Sequence, residues 1–530
     1  MAELRQRNGV SGRSQSAKLP AAAIAFLILT ATISLIWSHY KLLWIDEFLE
    51  LHTDSASSLQ ELVHIQRVWP VSIDPLAYHV LAHLAIRLLG AGAFAIRLPS
   101  LLGYLLMQIC LFFFVRRIAG ERAAVFALAF PALAPTLYYS AEGRPYGLFL
   151  GLCALAMASW QAATRRETKR TTALIALAVA IALVLNTCYF GVLLLFPLCA
   201  AECCRIFQRR RLDVPMLASI GAGMAGIAFT LPFLGAAAEY RLHYWDADAF
   251  NHRMMYQAYL TFLLGRAQGS LRFGRVVVIG LALVIVLVLW GCIRHLRSRP
   301  LLFAKAEGVF LVALAALPMF GYLLARFVTH SIELRHVIPA LIGVAALLAI
   351  ALWPLFRRER AGKLALIVLF GAITLAGVFR ISAERISMRK TMSELTPAPE
   401  MKAALLANPG RLLYMQDTKH FESASYYEPN SEVRSRLALV YSEDREMLWC
   451  HHNTLALAAE HKRNFTRFNI VPFESIAAQP GDYIFVDYVD DKDSDLRSNW
   501  IDQAFLADHA VVRHIGPALG GDMVSVRFQP

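Results

Sequence analysis

Charge is the scarcest property of this sequence. Only 17% of its 530 residues are Asp, Glu, Lys or Arg, against about 25% in soluble domains. A soluble chain of this length would split into two or more domains. Cysteine is sparse as well. Seven of the eight, Cys110, Cys153, Cys188, Cys199, Cys203, Cys204 and Cys292, lie in apolar blocks. Cys450 stands alone in the polar tail, so no disulfide framework forms within that segment. Cys203 and Cys204 read as small helix-packing residues rather than a redox pair. The net charge is +13, but no basic face is interleaved with stacking aromatics. That pattern excludes nucleic acid as a partner. There is no internal repeat and no low-complexity tract.

What the chain has instead is hydrophobic residues, 57% of the total, gathered in blocks of about twenty, the length that spans a bilayer core. Spans are predicted at 19–40, 96–116, 122–140, 146–163, 171–188, 189–206, 214–234, 274–294, 306–327, 337–356 and 363–381. The first follows Arg5, Arg7, Arg13 and Lys18 and is too long for a signal peptide, so it reads as an uncleaved helix. Alternate connections are short and basic, for example Arg116, Arg117 and Arg122, or Arg357, Arg358, Arg360 and Lys363. The opposite connections hold most of the loop acids, among them Asp46, Glu47, Glu50, Asp54, Glu61, Asp74, Glu142, Glu239 and Glu333. The positive-inside rule then predicts a cytoplasmic N-terminus, eleven crossings of the cytoplasmic (inner) membrane and an extracytoplasmic tail. The expected fold class is an all-α polytopic membrane bundle over 1–384 with a small soluble α/β domain over 385–530.

Two outer loops are long. In the loop at 41–95, the apolar stretch Leu76 to Leu89 is too short to span and reads as an interfacial helix. The loop at 235–273 carries Tyr240, Tyr244, Trp245, Phe250, Tyr256 and Tyr259. These suit either headgroup anchors or a substrate wall. In the tail, strands are expected at 411–415, 437–441, 483–488, 511–515 and 523–528, and helices at 399–407 and 455–462.

Four polar motifs fall on the outer face: Trp44-Ile45-Asp46-Glu47, Ile73-Asp74-Pro75-Leu76-Ala77-Tyr78-His79, Tyr139-Ser140-Ala141-Glu142-Gly143-Arg144-Pro145-Tyr146 and Glu333-Leu334-Arg335-His336-Val337-Ile338-Pro339. Carboxylates at a lipid interface are costly unless paired or functional. One of them could deprotonate an acceptor hydroxyl, and an Arg could hold a phosphate leaving group. Each motif has a plainer reading. Asp46 and Glu47 could be a polar helix end, Asp74 a cap, Glu142 and Arg144 a structural ion pair, and Arg335 a snorkelling cation. His79 and His83, at i and i+4, could share a zinc ion or simply pack. Cys450-His451-His452 is a poor ligand cluster, because consecutive residues seldom converge on one ion. Asp490, Asp491, Asp493 and Asp495 read as a solvated acidic loop.

Taken with Phe94-Ala95-Ile96-Arg97-Leu98-Pro99-Ser100 and Tyr189-Phe190-Gly191, these motifs resemble the GT-C class of membrane glycosyltransferases. The resemblance is to the branch of protein O-mannosyltransferases and the aminoarabinose lipid A transferase, glycosyltransferase family 39, and it covers about residues 20–345. It implies transfer of a sugar from a polyprenyl-phosphate donor to a lipid, glycan or protein acceptor within a setting of membrane lipids. It also implies Asp46, Glu47 and Glu142 as catalytic carboxylates, with Asp74, Tyr78, Arg144, Tyr146, Arg335 and His336 binding substrate. The chain departs from relatives in having one proline after Asp74 and Gly143 where alanine is commoner. No cofactor is required, since phosphate is a good leaving group, and a divalent metal stays an open reading. The rival readings are a lipid-linked sugar flippase or transporter, and a non-catalytic membrane scaffold. A transporter calls for polar residues at mid-bilayer and repeated halves, whereas these span interiors are almost free of charge.

Overall fold

The computed structural model describes residues 18–165, 169–236, 238, 254–264, 305–330, 332–395, 411–488 and 500–529. The predicted span at 274–294, most of the aromatic loop at 235–273, the helix at 399–407, the acidic run at 490–495 and the first three arginines lie outside the described residues.

The membrane part opens with α1 (Ala21–Tyr40). The loop at 41–95 follows as three helices, α2 (Ile45–Asp54), α3 (Leu59–Val68) and α4 (Leu76–Leu89). Then come α5 (Ala93–Ala119), α6 (Glu121–Leu133) and α7 (Tyr146–Thr164). Among the described residues, six helices are long and apolar enough to cross a bilayer: α1, α5, α7, Tyr189–Arg209, Val214–Ala236 and α8 (Glu359–Leu395). A seventh crossing is made if the pair Lys305–Ala315 and Leu317–Thr329, bent by 57°, counts as one. Pro318 lies at that bend, where it removes a backbone donor. The protein is therefore a multi-pass membrane protein.

Local chemistry explains the departures from the hydropathy pattern. The span expected at 122–140 is a helix only to Leu133, because Pro135 forces Ala134 into extended backbone (ψ 154°) and a 3-10 turn, Pro135–Ser140, follows. The last helix outruns its apolar stretch at 363–381 and the domain boundary drawn at 384/385. It continues to Leu395, whose side chain is buried in the core of the tail. Glu384, on that extension, accepts from Trp37 Nε1 at 3.0 Å.

The contact between α5 and α7 fixes the floor of the face that carries the polar motifs. A Cβ at Gly103 would lie 2.3 Å from Leu148 Cα, and one at Gly151 would lie 2.3 Å from the Gly103 carbonyl. Small residues let the two backbones touch, as in tight membrane helix pairs. The approach brings Ser100 Oγ onto the Arg144 carbonyl, which it donates to. The turn before α7 is thereby pinned to the start of α5.

The tail is a six-stranded sheet in the order β3-β2-β1-β4-β6-β5. Its strands are β1 (Leu413–Met415), β2 (Leu437–Tyr441), β3 (Asn469–Pro472), β4 (Gly481–Asp487), β5 (Val511–Ala518) and β6 (Gly521–Phe528). The first four run parallel, and β6 and β5 form an antiparallel hairpin at one edge. Apolar clusters cover both faces, one around Met415 and Phe421 and the other around Phe485 and Phe505.

This domain is docked on the helices of the loop at 41–95. From α9 (Thr418–Tyr427), the Tyr427 hydroxyl accepts from the Leu43 N–H at 2.8 Å. Glu422 pairs with His52 of α2 at 2.7 Å and with Lys462 of α10 (Thr454–Arg463). His461, next to Lys462, donates to the Pro70 carbonyl at 2.8 Å. Burial would raise the Glu422 carboxyl, but Lys462 and His52 outweigh it and hold it at about 2. The helix that carries Asp46 and Glu47 is thus held from the tail side by the His52–Glu422 contact, which the buried Lys462–Glu422 pair backs.

Candidate active site

The site is assembled from five chain segments. Asp46 and Glu47 lie in the first turn of α2, where carboxylates complement the helix dipole. Because neighbouring residues on a helix point about 100° apart, the two enter different surroundings.

Glu47 is fully buried. Arg97 grips it with two hydrogen bonds, Nε to Oε1 and Nη2 to Oε2, both 2.7 Å. Lys41 Nζ donates at 2.8 Å and the Gly143 N–H at 2.6 Å. Burial would raise this carboxyl, but Arg97 and Lys41 prevail and hold it at about 2. A Cβ on residue 143 would lie 2.6 Å from Ile96 Cδ1. Glycine there lets the backbone come close enough to reach Glu47, which gives the departure from alanine a physical reason.

Asp46 points the other way and keeps 21% side-chain exposure. Arg335 Nη1 donates to it at 3.2 Å, and Arg144 Nη2 lies 3.8 Å away. Arg144 also pairs with Asp74 at 2.9 Å and with Glu50 at 2.9 Å. Arg335 pairs with Glu333 at 2.7 Å and lies over the Tyr146 ring, 5.5 Å from its centre. His336 stacks on Phe190 at 4.0 Å and accepts the Glu333 N–H at 3.0 Å. Residues of the four polar motifs, up to 289 positions apart in sequence, thus meet in one network of two guanidiniums and several carboxylates.

Tyr78 does not face this network. It is fully buried, and its hydroxyl donates to the Ile96 carbonyl at 2.6 Å. It packs in the interior here and has no exposed surface of its own. His79 and His83 do not converge either. His83 Nδ1 donates to the Asp54 carbonyl at 3.0 Å, while His79 Nδ1 faces Asp54 Oδ1 at 2.8 Å and Glu50 Oε2 at 3.1 Å. Sequence reasoning passed over Lys41, Arg97 and Glu50 as site residues. A signal existed for Arg97, a charge inside an apolar span.

Glu142 sits behind the network, 2% exposed, with Tyr138 hydrogen-bonded to it and Oε2 without a hydrogen-bond partner. Burial pushes its carboxyl up to about 7, more strongly than Lys41 pulls it down. An unfolded glutamate ionises near 4.3. The folded state therefore binds this proton more tightly, and the stability it contributes is lost as pH rises through about 7. We expect Glu142→Gln to stabilise the protein in detergent near pH 8, by up to about 3 kcal/mol, but not near pH 5. Thermal melts of the two proteins across that range check it, and a constant difference between them would refute it.

The fold is similar to that of ArnT, a GT-C glycosyltransferase. Two crystal structures of ArnT from Cupriavidus metallidurans align along nearly the whole chain at 13% identity. The apo form covers 96% of this chain and 98% of that one with a TM-score of 0.56. The form bound to undecaprenyl phosphate covers 95% and 97% with a TM-score of 0.57. An oligosaccharyltransferase from Archaeoglobus fulgidus, solved with zinc and sulfate, is more distant, with 12% identity, 87% of this chain, 68% of that one and a TM-score of 0.46. The family model described as dolichyl-phosphate-mannose-protein mannosyltransferase matches residues 74–235, a stretch that includes Asp74, Glu142, Arg144 and Tyr146. No curated protein matches the chain.

Proposed function

We propose that this protein transfers a sugar from a polyprenyl-phosphate donor to an acceptor hydroxyl at the outer face of the cytoplasmic membrane. The N-terminus lies inside, the tail outside, and the chain makes eleven crossings. The observation that carries the reading is Asp46, a partly exposed carboxylate against Arg335 with Arg144 close by. In that arrangement the donor's phosphate competes with Asp46 for the guanidiniums. ArnT bound to undecaprenyl phosphate supports a lipid phosphate as the ligand class for this fold.

The chemistry follows from the placement. With Arg335 and Arg144 turned to the phosphate, Asp46 is free to accept the proton of the acceptor hydroxyl. That oxygen attacks the anomeric carbon. The carbon–oxygen bond to phosphate breaks, and the phosphate leaves with the electron pair, its charge met by the two guanidiniums. One displacement inverts the anomeric centre. Glu47, saturated by Arg97, Lys41 and Gly143, holds the frame and leaves the proton transfer to Asp46. Asp74 and Glu50 hold Arg144 in place, and Tyr146 supports Arg335 from below.

The test is to incubate the purified protein with a panel of polyprenyl-phosphate sugars and follow donor consumption. One donor or more should be consumed. Arg335→Gln should raise the KM for that donor roughly tenfold to a hundredfold, the worth of a charge-assisted hydrogen bond. Failure to consume any donor, or an unchanged KM in the variant, would count against the assignment.

A further inference from the structure

We propose that Glu50, Asp54 and His79 hold a divalent transition-metal ion of the zinc class that ties α2 to α4 behind the reaction site. Glu50 and Asp54 stand at i and i+4 on one side of α2, and His79 reaches them from α4. One ligand atom from each lies within 4.8 Å of the others. All three side chains are completely buried. Two carboxylates with an imidazole are a zinc-type donor set, whereas magnesium favours oxygen ligands and water.

The hydrogen bonding within the cluster does not close. The single Nδ1–H of His79 is offered to two carboxylates at once, Asp54 Oδ1 at 2.8 Å and Glu50 Oε2 at 3.1 Å. Asp54 Oδ2 and His79 Nε2 have no hydrogen-bond partner, and Glu50 Oε2 has only the ion-pair approach of Nδ1 and no hydrogen bond of good geometry. Buried polar atoms are rarely left so, and an unpartnered Asp54 oxygen beside one Nδ1 shared by two carboxylates marks the place of a cation, while Nε2 lies across the ring and takes no part in it. A metal ion that replaces the Nδ1 proton meets both carboxylates together, and that proton passes to solvent.

The surroundings suit a ligand role. Glu50 Oε1 accepts from Arg144 at 2.9 Å and from Ser72 Oγ at 2.8 Å. Such outer contacts orient a carboxylate ligand. His83 fixes the end of α2 through the Asp54 carbonyl. Because Arg144 joins Glu50 to Asp74 and lies near Asp46, an ion here stiffens the guanidinium array without touching substrate.

The experiment uses the full-length, tag-free protein in detergent, stripped with a chelator and then titrated with Zn2+, and in parallel with Mg2+. The expected result is one zinc per chain by elemental analysis after gel filtration, a raised thermal midpoint, and affinity for Zn2+ at least a hundredfold above that for Mg2+. Co2+ loading should give the visible absorption of a four-coordinate site. Asp54→Asn and His79→Gln, each checked for monodispersity, should lose the stoichiometric ion. Wild-type protein that takes up no stoichiometric zinc overturns the proposal, and so does zinc retained undiminished in both variants. None of these readouts depends on transfer activity, so a failure here leaves the transferase reading standing.

Discussion

Asp46→Asn should cut sugar transfer by about a thousandfold, within the range general-base groups contribute, while binding the lipid-phosphate donor as tightly as the wild type or more tightly. The two halves of this expectation share one cause. In the resting protein the Asp46 carboxylate sits 3.2 Å from the Arg335 guanidinium and 3.8 Å from that of Arg144. A donor phosphate must displace it from both. Asparagine keeps the shape, loses the charge, and frees the guanidiniums for phosphate. It also loses the site that receives the proton of the acceptor hydroxyl. The loss therefore falls on kcat, with the donor's dissociation constant unchanged or lowered. Single-turnover transfer and equilibrium binding of a polyprenyl phosphate, measured on the same preparation, separate the two. Full activity in the variant would remove Asp46 as the base. Weakened donor binding would show that it helps to hold the phosphate rather than competing with it.

Much of this site was legible in the sequence, because topology is encoded in long apolar blocks and the charges between them. Alternation of basic and acidic connections was enough to gather Asp46, Asp74, Arg144 and Arg335 on one face. Contacts under 4 Å join those four residues. What the sequence did not separate was Asp46 from Glu47. Adjacent carboxylates look alike in a string, and their roles divide only when a helix turns one toward Arg335 and the other toward Arg97. The bent pair before residue 330 and the shortened helix after Glu121 likewise depend on single prolines within apolar runs, where hydropathy alone sees continuity. The reach of the last helix into the tail was hidden for the opposite reason. Arg385, Arg389 and Lys390 end the apolar signal but do not end a helix, since basic side chains of this type favour it. The tail's grip on α2 through Glu422, His52 and Lys462 joins residues some 370 to 410 positions apart, a pairing that only the fold discloses.

Arg97→Leu should destabilise the protein by about 3–5 kcal/mol, the cost of leaving a buried charge without its partner. Glu47 has no access to water, so a carboxylate that loses Arg97 keeps only Lys41 and the Gly143 N–H. Arg97 also donates to the carbonyls of Ser38 at 2.7 Å and Lys41 at 2.9 Å. Its loss therefore unties the end of α1 from the start of α2 as well. Changing both members of the pair, Arg97→Leu with Glu47→Gln, should recover part of the stability, because no buried carboxylate is left without Arg97; the rest stays lost because Lys41, also paired with Glu47, gives up its own partner. It should not recover transfer, because α2 would no longer be held in the turn that aims Asp46 at Arg335. Thermal midpoints of the three proteins in detergent give the coupling, and transfer assays on the double variant give the functional half. If the single variant melts with the wild type, Glu47 is not the anchor of this loop. If the double variant regains transfer, the orientation of Asp46 rests on something other than this buried pair.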